Sequence, residues 1–283
     1  MTSPQSPAPD PTHRRAAAFF DLDKTVIATS SASAFARPFL SGGLLTRRAV
    51  LRSAYAQVTF LLGTADEGRT ERLRLALSRT VTGWRVARVE ELVEAHVDRA
   101  IRPVLQPEAE RLIAEHHAAG EDVVIVSASA TELVRPIARL LGVDRVIATA
   151  MAVEDGRYTG EIDFYAYGQA KAVAMRRLAE QEGYDLAASS AYTDSVTDAP
   201  MLAAVGHGYV VNPDRGLRRL AAAEGWQTLR FRGARVEVQA RRRLRAVALV
   251  AAAVTVVAAG IAAGVRRGSM GETRSHQTDK PSL

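Results

Sequence analysis

Two aspartates separated by one residue, Asp21 and Asp23, directly follow an apolar run at residues 16–20 that predicts a short strand. In an extended segment alternate side chains point to the same side, so both carboxylates lie together. One carboxylate of such a pair can attack a phosphorus atom, while the other protonates the leaving oxygen and then activates water. Taken alone, the pair could equally be two solvated aspartates of a loop.

A calcium site is the second chemistry that alternating aspartates suggest. Counted from Asp21, a loop of the EF-hand type needs glycine at its sixth position and glutamate at its twelfth. This chain has Val26 and Ala32 at those positions. The sequence therefore excludes that type of calcium loop.

A hydroxyl and a small residue, Ser127 and Ala128, follow a second apolar run at residues 123–126. A small residue lets a backbone amide approach a ligand, and a hydroxyl beside exposed amides at a helix start suits phosphate oxygens. This predicts a phosphate-binding turn. The alternative is a serine that only caps the following helix.

Lysine is rare in this chain, with three among the 37 basic residues, and Lys24 and Lys171 lie in candidate motifs. Lys171 falls in the first turn of a helix predicted over residues 169–182. The helix dipole already makes that end positive, so both charges would favour one anion. An exposed lysine is the usual alternative for any single position.

Two further aspartates, Asp194 and Asp198, lie between a strand predicted at residues 190–193 and a helix predicted at residues 200–205. They could simply cap that helix. Together with Asp21 they could instead hold Mg²⁺, which takes one or two carboxylates, keeps bound water and bridges to a substrate phosphate.

The elements that must position these residues alternate between strands and helices. Strands are predicted at residues 122–126, 145–149, 190–193, 209–212 and 226–231, with a hairpin turn at 154–156, and helices at residues 107–119, 131–141, 169–182, 200–205 and 215–224. This alternation predicts an α/β fold with a doubly wound, mostly parallel sheet and helices on both faces. The candidate residues fall at the carboxyl ends of strands, where such sheets bind ligands.

One block interrupts the alternation. Residues 33–101 show apolar residues at three- and four-residue spacing and no strand, which predicts a helical insertion after the first strand. Residues 16–32 and 102–231 would then form the core. A proline-rich leader without a signal-peptide pattern, a basic linker and a tail complete the predicted organisation, at residues 1–15, 232–245 and 266–283.

Composition limits the function classes. With 283 residues, 47% of them hydrophobic, and no cysteine, the chain is neither disordered, collagen-like nor a disulfide scaffold, and cysteine chemistry is excluded. The net charge of +6 would suggest nucleic acid only if it clustered on one face, and we expect no nucleic-acid partner.

A run of twenty uncharged residues begins at Ala246 and ends at Val265, with arginines on both sides. A helix of this length spans about 30 Å, the thickness of the hydrocarbon layer. We predict a single transmembrane helix, with the preceding domain in the cytoplasm. A buried alanine-rich helix is the alternative. Gly260 and Gly264 form a GxxxG pattern that only weakly suggests helix pairing.

Taken together, these motifs resemble the haloacid dehalogenase superfamily, in particular its phosphoserine-phosphatase-like subfamily IB, in which a helical cap is inserted between the first two motifs. The resemblance covers roughly residues 16–231. It rests on Asp21-x-Asp23-x-Thr25, Ser127, Lys171 and Asp194-x-x-x-Asp198, in this order.

The resemblance implies a Rossmann-like core and a phosphatase that uses Mg²⁺. It implies Asp21 as the nucleophile that becomes phosphorylated and Asp23 as general acid and base. The metal would be held by the Asp21 carboxylate, the Asp23 carbonyl and Asp194, with Asp198 in support. The phosphate subsite would comprise Thr25, Ser127, Ala128 and Lys171.

The chain departs from the phosphoserine phosphatases in two positions. Those enzymes carry a glutamate nine residues after the nucleophile, which reads the substrate's amino group, where this chain has Ser30; they have asparagine where it has Thr197. We therefore expect a small-molecule or lipid phosphomonoester other than phosphoserine. A non-catalytic membrane adaptor for a phosphorylated partner and a phosphomutase remain alternatives, and the oligomeric state stays open.

Overall fold

The structure of the protein, a computed structural model, describes residues 15–45 and 80–233. Within these ranges no helix combines the length and apolarity needed to cross a bilayer. Several of the sequence predictions lie outside the described residues. They are the leader at 1–14, the part of the helical insertion at 46–79, the basic linker from residue 234, the span at 246–265 and the tail at 266–283.

A seven-stranded sheet forms the centre of the described part. Its strands are β1 (Ala17–Asp21), β2 (Asp122–Ala130), β3 (Arg145–Glu154), β4 (Arg157–Phe164), β5 (Ser190–Thr193), β6 (His207–Val211) and β7 (Gln227–Leu229). They are ordered β4-β3-β2-β1-β5-β6-β7. Only the pair β3–β4 of this sheet is antiparallel. The predicted α/β class with a mostly parallel sheet is confirmed.

The helices of the described part connect these strands. They are α1 (Ser31–Ser41), α2 (Val86–Ile101), α3 (Pro107–Ala118), α4 (Thr131–Leu140), α5 (Gln169–Glu182), α6 (Ala199–Leu202) and α7 (Arg215–Glu224), with 3₁₀ turns at Arg102–Val104 and Val196–Asp198. Local signals explain several of their ends. Pro107 opens α3, Asp214 caps α7 by accepting from the Leu217 amide, and left-handed glycines at 183 and 225 end α5 and α7.

Helices cover both faces of the sheet. Neighbouring residues of β1 point to opposite faces and therefore pack against different helices. Phe20 packs in one apolar cluster with Ile113 of α3 and Val134 of α4, whereas Phe19 packs in another with Met175 of α5. Both rings are fully buried. Burying a phenylalanine contributes about 1.5–3 kcal/mol, so β1 is anchored from both sides before its last residue, Asp21, enters the loop.

The predicted hairpin forms between β3 and β4. Asp155 and Gly156 make its turn with φ values of 47° and 70°, which an Asp-Gly pair adopts readily. β3 runs five residues beyond its predicted end because its extension pairs with β4. β2 is also longer than predicted and reaches Ala130, with a register shift between Ser127 and Ala130.

The described part of residues 33–101 contains no strand, as predicted, but one isolated bridge joins Arg85 to Arg157 of β4. The amide of Gly83 donates to the Tyr158 carbonyl at 2.8 Å, and the Tyr158 amide donates to the Trp84 carbonyl at 3.1 Å. These two hydrogen bonds and the bridge attach the segment before α2 to the outer edge of β4 and cover part of that edge. The described helices of this block, α1 and α2, are as the periodicity predicts, although α1 begins at Ser31.

Smaller differences occur at the end of the sheet nearest β7. Helix α6 ends at Leu202, β6 occupies His207–Val211 instead of residues 209–212, and β7 is only Gln227–Leu229. Asn212 has a φ of 49°, a left-handed conformation that ends β6 one residue earlier than predicted.

Candidate active site

The register of three parallel strands brings the first, second and fourth motifs to one edge. In β1, Asp21 lies opposite Val126 of β2, so Ser127 is the next residue along. On the other side, Phe20 lies opposite Tyr192 of β5, which places the following acidic loop beside Asp21. Parallel strands end at the same edge, and the predicted clustering of these loops follows from that arrangement.

Lys171 joins this edge from the first turn of α5. Its side chain is 2% exposed, and its Nζ lies 2.7 Å from Oδ1 of Asp21 and 2.7 Å from Oδ2 of Asp198. Thr193 also donates to Oδ2 of Asp198, at 2.9 Å. The alternative of an exposed lysine is therefore wrong. Lys171 links the predicted nucleophile to the last motif.

The charges of this buried group act on one another. Burial alone would lower the pKa of Lys171, but the charges of Asp21 and Asp198 outweigh it and raise that pKa above its ordinary value. Burial, together with the negative charges of Asp198 and Asp194, raises the pKa of Asp21 to about 7 against the opposing charge of Lys171. A cation beside Asp21 would offset that repulsion and favour the ionised carboxylate.

Asp23 is held by donors that the sequence did not indicate. Its Oδ1 accepts from the Ser31 amide at 2.8 Å, and its Oδ2 accepts from the Ser129 hydroxyl at 3.1 Å. Burial raises the pKa of Asp23, while these hydrogen bonds to the charged form act in the opposite direction. Ser31 gave no sequence signal beyond lying close to motif residues, and Ser129 gave only that of a small residue in the segment after Ser127.

The irregular part of β2 at residues 127–130 is supported by a threonine that sequence reasoning missed. Ser127 is buried, and its Oγ accepts from the Ser129 amide at 3.1 Å. Thr149 Oγ1 donates to the Ala128 carbonyl at 2.7 Å and accepts from the Ala166 amide at 3.3 Å. A polar residue at the predicted end of β3 was the available signal for Thr149.

The structure shows no partner for the side chain of Thr25 among the described residues. The residue is fully buried. The preceding residue, Lys24, has a φ of 67° and turns the loop back. The predicted contact between Thr25 and phosphate stays a prediction.

The donors at this edge fit a magnesium ion. Among the described residues, no group of three or more His, Asp or Glu side chains is gathered in the manner of an all-side-chain metal site. Mg²⁺ needs only one or two carboxylates beside carbonyl and water ligands. Asp21 and Asp194 would supply that number, and Lys171 contacts both Asp21 and Asp198. The role of Asp198 at the metal stays a prediction.

Comparison with known proteins agrees with these motifs. The chain matches the model of the haloacid dehalogenase-like hydrolases over residues 18–203. It is 51% identical over 263 residues to "Probable phosphatase Rv3661" of Mycobacterium tuberculosis (strain ATCC 25618 / H37Rv), across 93% of this chain and 90% of the relative. It is 37% identical over 222 residues to "Phosphoserine phosphatase SerB1" of the same strain, across 78% and 72% of the two chains.

A solved structure has the same fold. A protein of unknown function from Bordetella pertussis Tohama I superimposes with a TM-score of 0.66 and 30% identity, across 77% of this chain and 99% of the other. The family and the phosphatase relatives agree on the reaction class, that of a phosphoric monoester hydrolase. The chain belongs to the haloacid dehalogenase-like hydrolase family.

Proposed function

We propose that this phosphatase works in two steps through an aspartyl-phosphate on Asp21, with Mg²⁺ as cofactor. The observation that carries the proposal is the buried contact of Lys171 with Asp21 and Asp198. A buried ammonium between two carboxylates fixes the nucleophile and supplies positive charge where an anionic phosphate must approach an anionic carboxylate.

In the first step a carboxylate oxygen of Asp21 forms a bond to phosphorus while the bond to the leaving oxygen breaks. The leaving oxygen takes a proton from Asp23, because an alkoxide is a poor leaving group without one. Lys171 and the turn at Ser127 and Ala128 bind the phosphoryl oxygens, and the Ser127 hydroxyl donates to them. Phosphoryl transfer depends mainly on such alignment and charge neutralisation.

In the second step water attacks the phosphorus of the aspartyl-phosphate, and the bond to Asp21 breaks. Asp23, now ionised, takes a proton from that water. Free phosphate and the original Asp21 carboxylate result. A phosphomutase would instead pass the phosphoryl group to a second organic acceptor, so the product distinguishes the two reactions.

Magnesium would be held by the carboxylates of Asp21 and Asp194 and by the carbonyl of Asp23. When bound, it supplies positive charge that stabilises the phosphoryl group in the transition state. The negative charges of Asp194 and Asp198, which raise the pKa of Asp21, support a cation at this place.

The substrate is proposed to be a small-molecule or lipid phosphomonoester. The relative named phosphoserine phosphatase supports the class of small phosphomonoesters. Ser30 argues against phosphoserine itself, because a serine side chain has no carboxylate to bind the amino group of that substrate. Its hydroxyl instead accepts from the Ser33 amide and caps α1.

The remaining proposals concern the cap and the membrane. We propose that residues 33–101 form a cap over the site, and that the uncharged run from Ala246 to Val265 anchors a cytoplasmic catalytic domain. Alkaline carbonate extraction of membranes tests the anchor: an integral protein stays in the pellet, and release of the full chain into the supernatant would contradict it. Digestion of the catalytic domain by protease added outside intact cells would contradict the topology.

The reaction is tested by release of phosphate from an aryl phosphate by the full chain in detergent, with and without Mg²⁺. We expect turnover only with Mg²⁺ and none in Asp21→Asn. Asp163→Asn is the matched control, because Asp163 is exposed on β4, and it should retain activity. Equal activity in Asp21→Asn and the native protein would overturn the assignment of the nucleophile.

A further inference from the structure

The carboxyl group of Asp23 faces three possible hydrogen-bond donors from two distant parts of the chain. The Ser31 amide binds Oδ1 at 2.8 Å, and the Ser129 hydroxyl binds Oδ2 at 3.1 Å. The Ser31 hydroxyl lies 3.4 Å from the same Oδ2 and 2.7 Å from the Ser129 hydroxyl. Ser31 is the first residue of α1, and Ser129 lies near the end of β2.

We propose that Ser129 and Ser31 are positioning residues that hold the Asp23 carboxyl in one orientation, so that Oδ1 exchanges the proton in both steps. The inference rests on the proposed function of Asp23 as general acid and base. It adds two residues that belong to none of the four motifs.

The two serine hydroxyls form a short chain of hydrogen bonds. Because the Ser129 hydroxyl has one proton and donates it to Oδ2, the Ser31 hydroxyl is the donor of the 2.7 Å contact between them or of the longer contact to Oδ2. The Ser31 hydroxyl therefore acts on Asp23 largely through the Ser129 hydroxyl, whereas the Ser31 amide binds Asp23 directly. Loss of the Ser129 hydroxyl should have the larger effect.

Neither the Ser31 nor the Ser129 hydroxyl caps a helix. The cap of α1 is made by Ser30, whose Oγ accepts from the Ser33 amide at 3.3 Å. The side chain of Ser31 is buried although it carries a polar group. Burying a hydroxyl costs free energy unless it is hydrogen-bonded, and here its partners are Ser129 and Asp23.

Counting acceptor positions identifies the oxygen that carries the proton. A carboxylate offers about two acceptor positions on each oxygen. Among the described residues, Oδ2 accepts from the Ser129 hydroxyl and has the Ser31 hydroxyl 3.4 Å away, whereas Oδ1 accepts only from the Ser31 amide. One position on Oδ1 therefore remains for a proton. That proton passes to the leaving oxygen when its bond to phosphorus breaks, and Oδ1 then takes a proton from the attacking water.

The bonds also tie Asp23 to the phosphate-binding turn. The backbone amide of Ser129 donates to Ser127 Oγ at 3.1 Å, while its hydroxyl donates to Asp23. One residue thereby sets the distance between the general acid and the predicted phosphate ligand. A displacement of about 1 Å at such a centre can cost roughly a hundredfold in rate.

The test uses aryl phosphates of similar shape whose leaving groups differ in acidity: 4-nitrophenyl, phenyl and 4-methoxyphenyl phosphate. Their kcat/KM values report only the steps up to departure of the phenol. In Ser129→Ala of the full chain we expect kcat/KM to fall about tenfold for the two less acidic phenols, which need a proton. The value for 4-nitrophenyl phosphate, whose leaving group departs without one, should change less than about threefold.

The controls separate positioning from a general loss of structure. Ser31→Ala should steepen the dependence on leaving-group acidity in the same direction but less, and it serves as the test if Ser129→Ala does not fold. Ser129→Thr, which keeps a hydroxyl, should restore the native dependence. Ser33→Ala should leave it unchanged, because Ser33 is exposed and bonds to Ser30.

Two negative results have different meanings. An equal fall for all three substrates in Ser129→Ala, or no fall at all, would overturn the positioning role while the native enzyme still turns over. Absence of turnover in the native protein with Mg²⁺ would instead contradict the proposed function on which the inference rests.

Discussion

The ammonium of Lys171 lies 2.7 Å from Oδ1 of Asp21, although 150 residues separate the two in the chain. Both side chains are buried, and the second partner of the ammonium, Asp198, is buried as well. A buried cation held by two carboxylates is stable only while all three are present, since any one left alone would be an unpaired charge. The site and the stability of the fold are therefore linked.

Lys171→Met tests this link, because it keeps the length of the side chain and removes its charge. We expect the free energy of unfolding to fall by about 3–5 kcal/mol, the usual cost of breaking a buried ion pair. Phosphate release should fall by at least about a hundredfold, since the phosphoryl group loses a charged ligand. Urea denaturation and initial rates measure the two effects.

The control for that experiment is Lys24→Met. Lys24 is exposed, and its stability effect should stay within about 0.5 kcal/mol, as for most surface substitutions. Equal stability of Lys171→Met and the native protein would contradict the ion-pair account.

Removing a proposed magnesium ligand should weaken the metal without removing the nucleophile. Asp194→Asn keeps the shape of the side chain and takes away one negative charge beside Asp21. We expect the Mg²⁺ concentration for half-maximal activity to rise roughly tenfold or more, because ligand charge sets the affinity of such sites. Titration of activity with Mg²⁺ after chelation measures it. An unchanged Mg²⁺ dependence would remove Asp194 from the ligand set.

Thr149 should support the phosphate-binding turn through a single oxygen. In Thr149→Val the Ala128 carbonyl loses its donor and the Ala166 amide loses its acceptor. Leaving such buried groups unpaired costs about 1–3 kcal/mol. We also expect inorganic phosphate to inhibit more weakly, because the turn that binds it is less well held. Thr159→Val, at an exposed position of β4, should change neither the free energy of unfolding nor the inhibition by inorganic phosphate.

Glu108 holds the last described residues against α3. Its Oε1 accepts from the amides of Arg232 at 2.7 Å and Gly233 at 3.2 Å. Glu108→Gln should lower the free energy of unfolding by about 1 kcal/mol, because a neutral amide oxygen is a weaker acceptor than a carboxylate. Faster hydrogen exchange at the amide of Gly233 would show the weakened contact directly, and Glu110→Gln, which is exposed on the same helix, is the control.

The contribution of Glu108 should depend on pH in a defined direction. Partial burial favours the neutral form, but the two backbone amides outweigh it and lower the pKa of Glu108 below its ordinary value of 4.5. Because the pKa is lower in the folded state, the stabilisation is fully present above pH 4.5 and is lost as the pH falls through the lower folded value. The stability difference between the native protein and Glu108→Gln should shrink only in that acidic range.

Several local features of the fold could be predicted from the sequence alone. Helix α5 spans Gln169–Glu182 and α7 spans Arg215–Glu224, as predicted, because glycines at 183 and 225 end them in left-handed conformations. The turn at Asp155 and Gly156 was predictable for the same kind of reason. These signals depend on residues that are close together in the sequence, so they can be recognised without the tertiary structure.

The motif residues were also predictable, because they follow strands whose carboxyl ends must meet at one edge of a parallel sheet. The sequence predicts that Asp21 and Lys171 belong to one site but not the distance between them. The residue types and the family resemblance predict their roles in the reaction. The sequence also carries the uncharged run ending at Val265, which remains a prediction beyond the described residues.

Only the tertiary structure decided which polar groups pair across the chain. Ser129 reaches Asp23 over 106 residues, and Thr149 reaches Ala128 because β3 lies beside β2 in a particular register. The pairing of Gly83 with β4 likewise depends on where the helical block meets the hairpin. A serine or threonine in the sequence can serve as a cap, a surface hydroxyl or a buried donor. Strand register and burial select among these, because both are set by contacts between distant segments.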